Sequence, residues 1–354
     1  MKKWLSLLVL VLGCMATWLI FKPVSTQAQD KTLFFYTFAE YIDEQILDSF
    51  EAKTGAKVVM SFFESNEEMI AKLKGGGVSQ YDVLIASDYV IPSMINQKLL
   101  LPLQKDQIPN LKNLSEKFAA PPFDPSLGYT IPYQWGTVGL GYRKDKVKEP
   151  FDRSWSLIFD AKQQQGPFVL MDDQRAMIGG TARYLGFDLN TTEKSELQKI
   201  QQELLQAKKR SIGFMGGVGA MNQLVQGTAN IAVGWNTDAL RLQEDNSNLE
   251  YFVPKEGSSL WVDNMGIAAQ APHADLAHQF VNHILDPEMG ALLSTYNSCA
   301  TPNEAAKDFL DPEDLENPII YPDEEELAKL SYLTVLKGDE LRLIDALWTN
   351  VKSG

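Results

Sequence analysis

Short, wholly apolar runs alternate with stretches of helical periodicity, and this order restricts the fold more than any other feature of the chain. Leu33-Phe34-Phe35-Tyr36 reads as a buried strand. Ile46, Leu47 and Phe50 then recur at helical spacing, and Gly55 supplies a stop. Residues 57–62 are rich in strand formers, Ser65-Asn66-Glu67-Glu68 has capping-box spacing, and the glycines 75–77 end the helix that it opens. Val83-Leu84-Ile85-Ala86 is a third buried strand. A β-α-β-α-β order predicts a mainly parallel sheet covered by helices. The pattern returns later, with strands at 168–171, 231–235 and 260–269 and helices at 194–208 and 221–226; helices dominate after Pro272. No linker rich in Pro, Gly or Ser separates the two halves, and no internal repeat is visible. Two α/β lobes between which the chain passes more than once are therefore expected. The candidate crossings are 132–142 and 260–269.

The first 29 residues read as an export segment. Lys2 and Lys3 precede an apolar run from Trp4 to Phe21, and a polar stretch with Ala28 as a cleavage residue follows. Its fate is open on three sides. Cleavage near Ala28 is one, lipidation at Cys14 within Val11-Leu12-Gly13-Cys14 is another, and retention as an anchor is the third. Beyond it, about 325 residues remain, enough for two lobes with their own cores. Only Cys14 and Cys299 occur, so no disulfide framework is available to the exported part. The segment holds three of the 32 basic residues and none of the 46 acidic ones, which leaves the rest of the chain at −17. Nucleic acid is excluded as a partner by the sign of that charge, whereas cations are attracted by it.

Catalytic signatures are absent: there is no Walker A sequence, no G-x-G-x-x-G and no G-x-S-x-G. Gly216-Gly217-Val218-Gly219 lacks the Lys-Ser/Thr of a phosphate loop and is read as a loop leading to the helix at Met221. His273, His278 and His283 step by five residues, about 140° on a helix, so they point apart rather than forming a metal face. They are expected at the surface or the cleft rim, and no metal or cofactor is implied.

What stands out is a set of aromatic and acidic residues where strands end. Phe38 and Tyr41 follow the first strand, Ser87 and Tyr89 the third, and Asp172 and Asp173 the strand at Phe168. Trp235 closes a strand with Asp238 three residues on, and Trp261 alternates with Asp263 on one face of an extended segment. Singly, each has a plain alternative: a Trp there can be core, and Asp173 or Asp238 can cap a helix. Their recurrence at four strand ends, where ligands of open α/β sheets sit, favours a shared site. That combination suits a protonated alkyl amine. Carboxylates accept from the ammonium, and ring faces attract its charge by about 0.5–2 kcal/mol each. The same rings cover methylenes worth roughly 0.8 kcal/mol apiece.

The chain resembles the periplasmic spermidine- and putrescine-binding proteins of ABC transporters from about Leu33 onward. The resemblance rests on Phe35-Tyr36-Thr37-Phe38-Ala39-Glu40-Tyr41, Glu64-Ser65-Asn66-Glu67, Tyr81-Asp82-Val83 and Ile131-Pro132-Tyr133-Gln134-Trp135-Gly136. Pro254-Lys255-Glu256-Gly257, Thr301-Pro302-Asn303, Tyr321-Pro322-Asp323 and the ending from Trp348 to Gly354 add to it. It implies the type II periplasmic-binding-protein fold with a ligand cleft between lobes joined by crossing strands. The lobes are expected to comprise 30–137 with 264–305, and 138–263 with 306–354. Carried over residue by residue, Phe38, Tyr41, Ser87, Tyr89, Asp173, Trp235, Asp238, Trp261 and Asp263 would line the site, with Asp263 as the principal acid. Four positions depart from the family. Ala176 stands where Glu is usual, Cys299 where Tyr is usual, Leu333 where spermidine-type members have Gln, and Ala39 where a small hydroxyl residue is usual. Polar groups are therefore missing from one end of the expected site.

These features imply an extracytoplasmic protein, without enzymatic activity or cofactor, that captures putrescine or spermidine and delivers it to the permease subunits of an ABC importer. A different amine, or an amino-acid-like cation, is the alternative.

Overall fold

The first apolar run becomes strand β1 (Thr32–Thr37) and is followed by helix α1 (Glu44–Thr54), which buries Ile46, Leu47 and Phe50. Asp43 caps that helix by accepting the Gln45 N–H at 2.8 Å. Gly55 ends it at φ 68°, a left-handed conformation that a side chain would strain. Strand β2 (Lys57–Phe62) leads to α2 (Asn66–Lys74), where Ser65 Oγ accepts the Glu68 N–H. Glu68 answers to the Glu64 N–H at 2.9 Å, one residue earlier than a capping box would have it. Strand β3 (Val83–Ser87) completes the unit, in which β2 and β3 both run parallel to β1.

The computed structural model describes residues 31–336 and 338–354; the expected export segment, with Cys14, lies outside them. A long strand β4 (Thr130–Arg143) comes next, then β5 (Phe168–Met171), α3 (Gln174–Tyr184), α4 (Lys194–Arg210) and the short β6 (Phe214–Met215). Helix α5 (Gly217–Val225), β7 (Ile231–Trp235), α6 (Asn236–Asp245), β8 (Leu249–Phe252) and β9 (Ser259–Ile267) follow. The remainder contains α7 (Ala274–Ile284), α8 (Pro287–Asn297), β10 (Ser331–Tyr332) and α9 (Asp339–Ser353).

Strand order is β2-β1-β3-β9-β4-β7-β5-β6, with β10 on β9 and β8 on β4. The expected parallel pairing holds at both ends of this array, but the middle is antiparallel: β9 with β3 and β4, and β4 with β7 and β8. The reason lies in the crossings. β4 and β9 are single long strands that run from one half to the other, not strands joined by a covering helix. Residues 130–137 of β4 pair with β9, and residues 138–143 pair with β7 and β8. The β4–β9 register slips between Pro132 and Gln134, where proline has no N–H to give to the ladder.

Apolar cores flank this array. One gathers Phe35, Phe50 and Phe280 beside the first strands, and another gathers Trp155, Phe168, Leu204 and Val351 beside the later ones. The Gly216–Gly219 segment is not a loop. Gly217 and Gly219 lie inside α5, because its first turn runs so close to Trp235 that a Cβ at Gly217 would strike the indole. Two of the histidines are buried rather than at the surface or rim. His278 Nε2 accepts the Gln104 N–H at 3.0 Å, and its Nδ1 lies 2.7 Å from the Ala274 carbonyl. His283 Nε2 lies 3.2 Å from the Ile46 carbonyl. Both rings bond to backbone groups in the interior, a tertiary role that spacing alone does not show.

Candidate functional site

Asp263 lies on β9 opposite Ser87 on β3 and Gln134 on β4. It is 5% exposed. One carboxylate oxygen accepts from Ser87 Oγ at 2.6 Å and the other from Tyr41 Oη. Burial pushes its pKa up, and these two bonds pull it back. Both donors are neutral, and among the described residues no Lys, Arg or His acts on this carboxylate. An ionised carboxylate has about four acceptor positions. The bonds from Ser87 and Tyr41 use two of them.

The first wall is braced from behind. The Tyr41 carbonyl accepts from Tyr133 Oη at 2.6 Å and Asn297 Nδ2 at 3.1 Å, and Asn297 also donates to Gln134 Oε1 at 2.8 Å. Phe38 meets Tyr41 edge-on at 5.3 Å and stacks obliquely on Phe63 at 4.4 Å. Buried Asn66, the first residue of α2, donates to Ser87 Oγ at 3.0 Å and to Tyr89 Oη at 3.2 Å, and it accepts the Ser87 N–H at 3.2 Å. Tyr89 in turn donates to Glu67 at 3.3 Å. The sequence pointed to Asn66 as part of a cap and of a stretch that carries the resemblance, not as a site residue. Its spacing from Ser87 and Tyr89 carries no sign that one amide orients both.

The second wall comes from β7, α6 and β9. Trp235 and Asp238 close over Gly217, where a Cβ would lie 2.8 Å from Asp238 Oδ2. Trp261 lies over Gly136 of β4, so a Cβ there would strike both its ring and Asn236 Oδ1. Trp261 Nε1 and Asp238 Oδ2 are buried without a hydrogen-bond partner. Asp238 stands in the first turn of α6, where the helix dipole favours the anion. Burial outweighs this, as well as the help of Arg241, and the pKa rises to about 6. Cys299 is buried near both Asp238 and Asp263, whose charges add to burial in raising its pKa.

Asp173 stands further off. It caps α3 by accepting the Ala176 N–H at 2.8 Å. Burial raises its pKa, and Arg175 and Glu67 act on it from either side. Asp172 instead faces outward to Lys352 at 2.7 Å. The structure therefore joins Tyr41, Ser87 and Asp263 directly. Tyr89 is added through Asn66 and Phe38 by ring contact, and Trp235, Asp238 and Trp261 are grouped around the glycine gaps. Asp173 reaches the group through charge alone, since it contributes to the raised pKa of Tyr89. Two cavities of about 550 and 430 Å³ lie elsewhere, the first bordered by Ser294, Glu313 and Asn317, the second by Lys117, Trp135 and Tyr321. Among the described residues no cluster of three or more His, Cys, Asp or Glu is placed to hold a metal ion.

Two α/β lobes joined by crossing strands define a two-lobed periplasmic-binding-protein fold, and comparison with known proteins gives the family. Residues 45–322 match the bacterial extracellular solute-binding protein family. The spermidine/putrescine-binding periplasmic protein of Escherichia coli is 31% identical over 325 residues, 92% of each chain. The putrescine-binding periplasmic protein PotF of the same organism is 32% identical, with 100% of this chain and 98% of PotF covered. A crystal structure of the spermidine/putrescine ABC transporter substrate-binding protein PotD from Streptococcus pneumoniae, in complex with calcium and HEPES, superposes with a TM-score of 0.84. It is 31% identical and covers 91% of this chain and 99% of that one. The chain belongs to the bacterial extracellular solute-binding protein family.

Proposed function

We propose that this protein binds a polyamine, putrescine or spermidine, outside the cytoplasmic membrane and hands it to the permease subunits of an ABC importer. The observation that carries the reading is Asp263, a buried carboxylate held by two neutral donors with no cation of its own. Burying an anion without a counter-charge is costly, and an ammonium ligand removes that cost. Names of relatives that cover almost the whole chain point to the same ligand class. In this reading Phe38, Tyr41, Ser87 and Tyr89 form one wall with Asp263 bonded to it, while Trp235, Asp238 and Trp261 form the other. Asp173 closes the far end.

The lobes would be 30–137 with 264–305, and 138–263 with 306–354. This division is supported by the change of strand partners on β4 at Thr137/Val138. Residues 1–29 would direct export and then be cleaved, or tether the protein through Cys14 or the apolar run. Among the described residues no helix is long and apolar enough to cross a membrane. The role is transport, with no reaction catalysed.

An amino-acid-like cation is the second reading, and Arg175 favours it. This desolvated guanidinium lies near Asp173 and Tyr89, beside Ala176, and could face a ligand carboxylate. Calorimetry on protein freed of ligand by unfolding and refolding, with putrescine, spermidine, cadaverine and arginine in turn, separates the readings. Heat of binding with the diamines and none with arginine supports the polyamine. The reverse overturns it.

A further inference from the structure

Beside the Asp263 group lie two buried oxygen atoms that the reading above does not use. Asp88 directly follows Ser87 and is 2% exposed. Its Oδ1 accepts the Tyr89 N–H at 2.7 Å and the Val262 N–H of β9 also favours the carboxylate, while Oδ2 is buried without a hydrogen bond of ordinary geometry. The hydroxyl of Tyr332 is buried and unpartnered as well. β9 brings the two together. Ser87 pairs with Asp263 on one side of that strand, and Tyr332 of β10 pairs with Leu260, three residues away. We propose that Asp88, with the Tyr332 hydroxyl beside it, forms a second acidic subsite that receives a ligand ammonium alongside Asp263 and so helps to set which amine is bound. This rests on the amine reading above.

The groups facing Asp88 make the case. Asp263 on β9 is a like charge close enough to add to burial in holding the Asp88 pKa well above the usual carboxylate range. Tyr332 on β10 feels Asp88 in return, for its own pKa is raised first by burial and then by that carboxylate. Arg175 on α3 is the one cation acting on Asp88, yet its guanidinium donates elsewhere, to the Thr334 carbonyl at 3.0 Å and to Asn190 Oδ1 at 3.1 Å. Two neighbouring buried carboxyls cannot both ionise at low cost unless a cation comes between them. Without one, burial and the neighbouring charge favour a proton on the pair. An ammonium donating to Asp88 Oδ2 removes that preference, and a proton held there leaves to solvent.

The test is calorimetry on the full chain with putrescine and spermidine, at pH 6 and pH 8, in two buffers of different ionisation heat. The unmodified protein is expected to release protons on binding. Asp88→Asn is expected to bind at least tenfold more weakly and to lose most of that release. Tyr332→Phe keeps the ring, which meets Phe123 edge-on at 5.8 Å, and removes only the hydroxyl. It is expected to weaken binding severalfold, and it decides the matter should Asp88→Asn fail to fold. Unmodified protein that binds amines while the folded variants match it in affinity and proton release overturns the subsite and leaves the amine reading standing. Unmodified protein that binds no amine overturns both.

Discussion

Replacing Asp238 by Asn should raise the stability of the ligand-free protein relative to the unmodified one as pH increases, while weakening it as a binder. Its pKa is raised from an ordinary 3.8 to about 6, with burial the main cause. That difference corresponds to about 3 kcal/mol. The sign follows from which state holds the proton more tightly. Here it is the folded one, so stability falls as pH rises from about 4 through 6 and stays low above that. Asparagine keeps the shape and carries no titrating proton. Its amide faces the same lack of a partner that the protonated acid does, so the absolute change in stability mixes several effects. The pH dependence of the difference does not. Between pH 4 and pH 7.5 the variant should gain about 2.4 kcal/mol relative to the unmodified protein, because Asp88, Asp173 and Asp263 titrate alike in both and cancel. Urea denaturation at four pH values on ligand-stripped protein measures this directly, with m-values checked for constancy. Putrescine at saturating concentration should restore the unmodified protein at pH 7.5 more than the variant. A difference between the two proteins that is flat across this pH range would refute the claim that burial raises the Asp238 pKa.

Three further outcomes are expected. Asp263→Asn should cost about 2–5 kcal/mol of amine affinity, the usual loss when one side of a buried charge pair is removed; titration calorimetry that shows unchanged affinity would count against its role. Gly136→Ala places a methyl group against the Trp261 ring and Asn236 Oδ1 and should destabilise by about 1–3 kcal/mol, read from thermal melts. A melt unchanged within a degree would show that the gap is not tight. His278→Ala removes the acceptor of the Gln104 N–H from the interior and should cost about 1–3 kcal/mol without altering amine affinity. Loss of affinity with stability intact would contradict a purely structural role.

The elements that the sequence showed well are those whose burial is local. β1, β3 and β7 are continuous apolar runs, and α1 ends at a glycine whose φ of 68° explains the stop. Strand-end positions singled out Tyr41, Ser87 and Asp263, which do meet by hydrogen bond. What stayed hidden depends on partners far along the chain. The antiparallel middle of the array cannot be read from the β-α-β order, because β9 returns to β3 from the second half. His278 looked like a rim residue until Gln104 supplied its donor. Asn66 and Asp88 were masked by neighbours with more obvious parts, a capping box in one case and the Ser87–Tyr89 pair in the other. Gly217 seemed to belong to a loop because the reason for a glycine in a helix was the Trp235 ring beside it.

The return of β9 to β3 also governs the order in which the molecule can be assembled. Ser87 and Asp263 are 176 positions apart, yet they sit side by side in the array. As the chain emerges, β1, β2 and β3 can pair, but one edge of β3 stays open until the strand from 259 to 267 has been made. Contacts this distant close slowly, because the loop between them must be organised first. Nascent chains of this topology therefore remain unfinished through most of their synthesis. The open edge of β3 is covered only once residue 267 has been made, so the array closes late in synthesis.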